Sequence, residues 1–163
     1  MGDWNRLVKD YGPMVFATAW RILRHAADTE DVVQEVFLEA NRLRQAQAVR
    51  HWGGLLRRLA ACRALDRLRQ RKPTLSLNGL SLMSIDDGPE EAAIGKELAE
   101  RLTQAVAQLP EREAAVFCLR YFDDLPNQQI AETLDISPGA VGVALHKARA
   151  RLEGMLTGVA KGD

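Results

Sequence analysis

The side chains with the strongest chemical character in this chain are cations held close together. Arg57, Arg58, Arg63, Arg67, Arg69, Arg71 and Lys72 set seven positive charges against Asp66 alone over residues 57–72. Each of them can neutralise a phosphate, and a guanidinium can also stack on a base. The segment therefore suits nucleic-acid contact, with a solubilising Arg-rich face as the ordinary alternative. Asp66 is expected to pair with Arg63 or Arg67. Trp52, just before this run, is either a core residue or a base-stacking one.

A second constellation is acidic. Asp31 and Glu35 lie four apart on one helix face, flanked by Gln34 and Leu38. Like charges at this spacing weakly destabilise a lone helix, so the face makes sense opposite a basic partner. The alternative is a solvated face.

A third lies at 127–151. Ile130, Ala131 and Leu134 form the inner face of one short helix, with Asn127 as its expected cap. Asp135 sits in the turn, where Asp tolerates left-handed backbone. Ser137 is the expected cap of the next helix, and Pro138 follows at its first position, where a missing N–H costs nothing. Val141, Leu145 and Ala148 form the second inner face. This is the spacing of a helix-turn-helix, whose second helix enters the major groove in DNA-binding proteins. Two packed helices with a tight turn give the same pattern. The outer face, with His146, Lys147, Arg149 and Arg151, favours phosphate contact over base reading, because Gly142 and Ala144 are small.

Nothing in the chain reads as enzyme chemistry. There is no phosphate-cradling glycine loop, no His and carboxylate pair at metal spacing, and no nucleophile elbow. Cys62 and Cys118 each stand alone in a helical pattern, and three histidines are scattered, so neither a zinc site nor a disulfide framework is expected.

The elements that must position these groups are helices. Apolar residues make up 47% of the 163, enough for a core, and Ala, Leu, Arg, Glu and Gln dominate while β-branched runs are nearly absent. The fold is expected to be all-α. Helical periodicity covers 4–25, with a start, kink or break near Gly12-Pro13. A second helix is expected over 29–43, capped by Asp28, and a third over 55–71 after a bend or close backbone approach at Trp52-Gly53-Gly54. Pro73 ends the third helix. Residues 73–92 are turn-rich and acidic and read as a linker, tethering freely or docking through Leu75, Leu77, Leu80, Leu82 and Ile85. Further helices are expected at 90–108, from Pro110 to about Phe122, at 127–134 and from 138 to about 156. Net charge is zero, but residues 1–72 carry 14 basic and 8 acidic side chains, and local field decides contact with phosphates. No run of apolar residues is long enough to span a membrane, and the N-terminus lacks a signal-peptide pattern, so a cytoplasmic location is expected.

Taken in order, these pieces resemble the extracytoplasmic-function (ECF) group of bacterial sigma factors, the subunits that give RNA polymerase its promoter specificity. The matching stretches are Glu30-Asp31-Val32-Val33-Gln34-Glu35-Val36-Phe37 and Leu55 through Arg71 with Ala64-Leu65-Asp66-Arg67-Leu68-Arg69. They continue with Leu109-Pro110-Glu111-Arg112-Glu113 and Leu119-Arg120-Tyr121, then Gln129-Ile130-Ala131-Glu132 to Leu145-His146-Lys147-Ala148-Arg149. The resemblance implies two small helical domains, at 1–72 and 93–163, joined by a linker at 73–92, the second containing the helix-turn-helix. It implies that Asp31, Gln34, Glu35 and Leu38 bind core RNA polymerase. Trp52, Arg57, Arg58, Arg63, Arg67, Arg69 and Arg71 would engage and help melt the promoter element near −10. Ser137, Ala140, Val141, Ala144, His146, Lys147 and Arg149 would face the element near −35. It further implies an anti-sigma protein as inhibitor, no cofactor, no membrane insertion and a monomer when free.

The chain departs from the family pattern where Leu55 replaces the usual Trp and Cys62 the usual Asn. Gln129 and Ala140 stand for Glu and Thr, and Gly142 and Ala144 fall where basic residues are common. Promoter contact is therefore expected to lean on the 57–72 helix. Two other readings fit the residues: a sigma-like DNA-binding regulator that does not support initiation, and a helical adaptor that titrates an anti-sigma protein without touching DNA.

Overall fold

Helix-forming residues cover nearly everything that the computed structural model describes, namely the backbone of residues 2–71 and 90–161 and the side chains of 2–71 and 95–157. Among these residues the chain is all-α. The first region holds α1 (Gly2–Leu23), α2 (Ala26–Ala46) and α3 (Trp52–Arg69). The second holds α4 (Glu90–Ala107), α5 (Glu111–Phe117), a π turn (Cys118–Phe122), α6 (Asn127–Leu134) and α7 (Pro138–Lys161). Most of the expected linker, with Leu75, Leu77, Leu80, Leu82 and Ile85, lies outside the described residues. Its last three residues, 90–92, belong to α4.

Several boundaries differ from expectation for physical reasons. α1 runs through Pro13, which faces solvent. The hydrogen bond lost there is offset by burial of Val15, Thr18, Ala19 and Ile22 one turn later. Arg24 ends α1 in left-handed backbone, φ 52°, with its N–H donating to Trp20 O at 2.7 Å. The cap of α2 is therefore His25, whose Nδ1 accepts from the Asp28 N–H at 3.2 Å, and not Asp28 itself. Pro126, not Asn127, precedes α6, and no side chain caps it.

α3 begins at Trp52, so its two glycines lie inside the first turn rather than at a bend. Both mark close approaches. A Cβ on Gly53 would meet the Tyr11 ring at 3.4 Å, and one on Gly54 would sit 3.8 Å from the Thr133 Cα in α6. The helix expected from Pro110 to Phe122 loosens after Phe117. There the Asp123 N–H reaches back five residues to Cys118 O, at 3.1 Å.

α3 is the centre of the molecule. It packs on α1 and α2 on one side and on α4, α5 and α6 on the other. Its buried residues, Leu56, Ala60, Ala61, Ala64, Leu65 and Leu68, therefore do not form one stripe, and the alanines let neighbouring backbones come close. The core is continuous from Ile22, Val36 and Leu56 to Leu119, Ile130 and Val141. No described helix is long and apolar enough to cross a membrane.

Candidate nucleic-acid and partner interfaces

The acidic face of α2 has a basic partner inside the chain. Arg67 of α3 reaches Glu35 (2.7 Å), Asp31 (3.6 Å) and Asp28 (3.8 Å). Arg71 donates to Asp28 at 2.9 Å, and Arg63 pairs with Glu39. Burial acts to raise the Asp28 pKa, but the Arg71 hydrogen bond and the charges of His25, Arg71 and Arg67 outweigh it and hold the pKa below the ordinary 3.8. Asp66 pairs with Arg69, one helical turn on, and not with Arg63 or Arg67. Asp31 and Gln34 still face solvent, Glu35 is half-exposed, and Leu38 at their side is 61% exposed.

Most of the remaining α3 cations are also occupied. Arg69 donates to Ala107 O at 2.9 Å and to Leu109 O at 3.3 Å. Arg57 lies 3.6 Å from the Asp123 carboxylate. Arg58 is exposed and makes no ion pair among the described residues. Trp52 is not free for stacking. Its ring meets Trp4 edge-on at 6.0 Å, and Trp4 in turn meets Phe37 at 6.2 Å, so the aromatic cluster holds α1, α2 and α3 together.

The α6–α7 pair is built as its sequence suggests. Asp135 takes left-handed backbone, φ 57° and ψ 49°, and Ser137 Oγ accepts the Ala140 N–H at 3.1 Å. Ser137, His146, Lys147 and Arg149 lie on the exposed side and Ala140 at its edge. Val141 and Ala144 do not. Both are buried, because the helical period turns them with Leu145 and Ala148 toward the core. The expectation that these two lie on the outer face is corrected: Gly142 and Val143 are the exposed residues there. Ala144 forms part of a groove lined also by Arg112, Ala140, Val143 and Lys147. Arg149 is steadied over Tyr121, whose hydroxyl accepts from its Nε at 2.6 Å.

Asp123 is a residue that sequence reasoning passed over as part of a short connection. Its side chain is only 3% exposed. It accepts from Thr18 Oγ1 at 2.7 Å and from Arg21 Nη1 at 2.8 Å, besides facing Arg57. Its hydrogen-bond donors stand 105 and 102 residues away in the chain, so no local spacing signals the cluster. The two thiols hold no such role. Burial pushes both Cys62 and Cys118 up, and among the described residues no group of His, Cys, Asp or Glu is arranged to hold a metal.

Comparison with known proteins follows this division. Residues 7–74, from within α1 through α3, match the family model described as Sigma-70 region 2. Residues 99–152, from within α4 into α7, match Sigma-70 region 4. The chain is 30% identical to ECF RNA polymerase sigma factor SigW of Bacillus subtilis, over 92% of this chain and 87% of that one. The chain belongs to the ECF group of sigma-70 family sigma factors. It is also 27% identical to RNA polymerase sigma-H factor of Pseudomonas aeruginosa, over 92% of this chain and 84% of that one. ECF RNA polymerase sigma factor SigE of Mycolicibacterium smegmatis is 27% identical over 96% of this chain, which spans 62% of its length. Sigma factors are not catalysts, so the chain is not an enzyme.

Proposed function

We propose that this chain directs promoter-specific initiation, binding core RNA polymerase and then recognising and helping to melt promoter DNA. The observation that carries this reading is the order of the two family matches, with region 2 ending on the basic helix α3 and region 4 ending on the capped α6–α7 pair. On this reading α6–α7 is a helix-turn-helix directed to the −35 element, and α3 serves the −10 element. Arg57, Arg58, Arg63, Arg67, Arg69 and Arg71 supply its phosphate contacts. Asp31, Gln34, Glu35 and Leu38 dock on polymerase. The chain acts in the cytoplasm, is monomeric when free, and is held in check by an anti-sigma protein that covers these surfaces.

Reconstitution with core polymerase, followed by mapping of transcript start sites, tests the reading directly. Start sites sharing a sequence element upstream are the expected result. Binding without initiation would instead make the chain a sigma-like regulator. Asp31→Ala with Glu35→Ala is expected to weaken core binding sharply. The fold survives, because the Asp31 and Glu35 side chains are 57% and 42% exposed and such surface pairs contribute only about 0–1 kcal/mol. Unchanged core affinity would remove this face from the interface.

A further inference from the structure

We infer that α7 reads promoter DNA through thymine C5-methyl groups rather than through hydrogen bonds to bases, and that Val143 is the side chain that does so. The inference rests on the function proposed above and gives its helix-turn-helix a base chemistry. In such a pair the N-terminal residues of the second helix meet base edges in the major groove. In α7 the outward residues of that stretch are Gly139, Ala140, Gly142 and Val143, with Ala140 half-buried and Val143 54% exposed. None has a side chain that donates or accepts a hydrogen bond, so none can pair with a base edge as Arg, Lys, Asn or Gln would. The fold gives no reason for two of them. A Cβ on Gly142 would meet nothing within 4 Å, so packing does not call for glycine there. Val143 buries little of its side chain and is a poorer helix former than Ala or Leu.

The apolar group that a base shows in the major groove is the thymine C5-methyl. Val143 can cover that methyl, and Gly142 beside it lets a base edge approach the α7 backbone closely. The surroundings fit DNA rather than an apolar protein partner. Arg112 and Lys147 line the same groove as Val143, both are exposed, and neither makes an ion pair among the described residues. The carboxylate that lines the groove, Glu113, accepts from Arg151 Nε at 2.8 Å, and its side chain is only 10% exposed. The groove therefore sets an apolar patch beside free cations, which suits base methyls flanked by phosphates.

Removing single methyl groups from the DNA tests this. Duplexes that bind the full chain with core polymerase are selected from a random pool, so the choice of DNA does not depend on initiation. Each thymine of the enriched upstream element is then replaced by deoxyuridine. One or two replacements should weaken binding by roughly fourfold, the worth of about one buried methyl. Val143→Ala should weaken binding to the thymine duplex to a similar degree, with circular dichroism unchanged, since alanine suits an exposed helix position. For that variant the uracil and thymine duplexes should bind alike, because both changes remove the same contact. Undiminished uracil sensitivity in Val143→Ala, or no thymine whose methyl matters, overturns the inference. So does a Val143→Ala variant that loses core polymerase instead of DNA, which would give the patch to the polymerase. A chain that binds the selected duplexes but starts no transcripts loses the initiation reading, and the uracil scan still decides the methyl contact. A pool with no enriched duplex overturns the methyl contact, and start-site mapping still decides initiation.

Discussion

One hydroxyl marks the start of α7. Ser137 Oγ takes the Ala140 N–H at 3.1 Å, satisfying one of the helix's orphan donors, while Pro138 presents none. Ser137→Ala is expected to lower stability by about 1 kcal/mol, read from the urea midpoint, with helix content kept. A midpoint unchanged within error would show that water replaces the cap at no cost. Asp135, Ser137 and Pro138 were legible in the sequence because turn and cap chemistry is local. The cap of α2 was not. His25 takes that role because Arg24 ends α1 in left-handed backbone, and nothing in the Asp28 spacing announces it. Asp123 was the least legible, since its hydrogen-bond donors come from α1, far away in the chain.

At the scale of elements, α2 and α3 are joined by charge as well as by packing. The acidic spacing of α2 suggested a basic partner, and pattern alone could not say that Arg63 and Arg67 of α3, with Arg71 just past its end, would meet it within the chain. The two helices thus neutralise each other in part, and residues 57–71 present less free charge than their six arginines suggest. This arrangement has a pH signature. The Asp28 carboxyl is held below its ordinary 3.8 in the folded chain. Its contribution is therefore complete above that value and lost as pH falls through the lower, folded one. The urea midpoint should drop as pH is lowered below about 4, and Asp28→Asn should flatten that part of the profile. A profile unchanged by Asp28→Asn would show that the Asp28 pairs carry no net stability. Helix positions were mostly legible from apolar periodicity. The extent of α3 was not, because a helix packed on several sides shows no single stripe, and its glycines read as a bend when they are points of contact.

For the whole molecule, the question is whether both regions hold one DNA at once. Arg58 on α3 and Lys147 on α7 are suited to answer it. Both are exposed, neither makes an ion pair among the described residues, and they belong to different regions. The other cations are less informative, since removing Arg67 or Arg69 would also disturb α2 or the junction. Arg149 is braced by Tyr121. Each phosphate contact releases counterions, so each one lost lowers the slope of log affinity against log salt by roughly 1. Polymerase contributes its own contacts, but these are common to every variant and cancel in the differences. Arg58→Ala and Lys147→Ala in the holoenzyme should therefore each lower the slope by about 1, and the double variant by about 2, because distant sites add. The measurement is promoter-complex affinity at several salt concentrations on a mapped start site. A slope that responds to Arg58→Ala alone would mean that only the first region touches DNA, as the small residues at Gly142 and Ala144 would allow. A response to Lys147→Ala alone would transfer recognition to α7. Additive loss requires the two regions to bind the same duplex together.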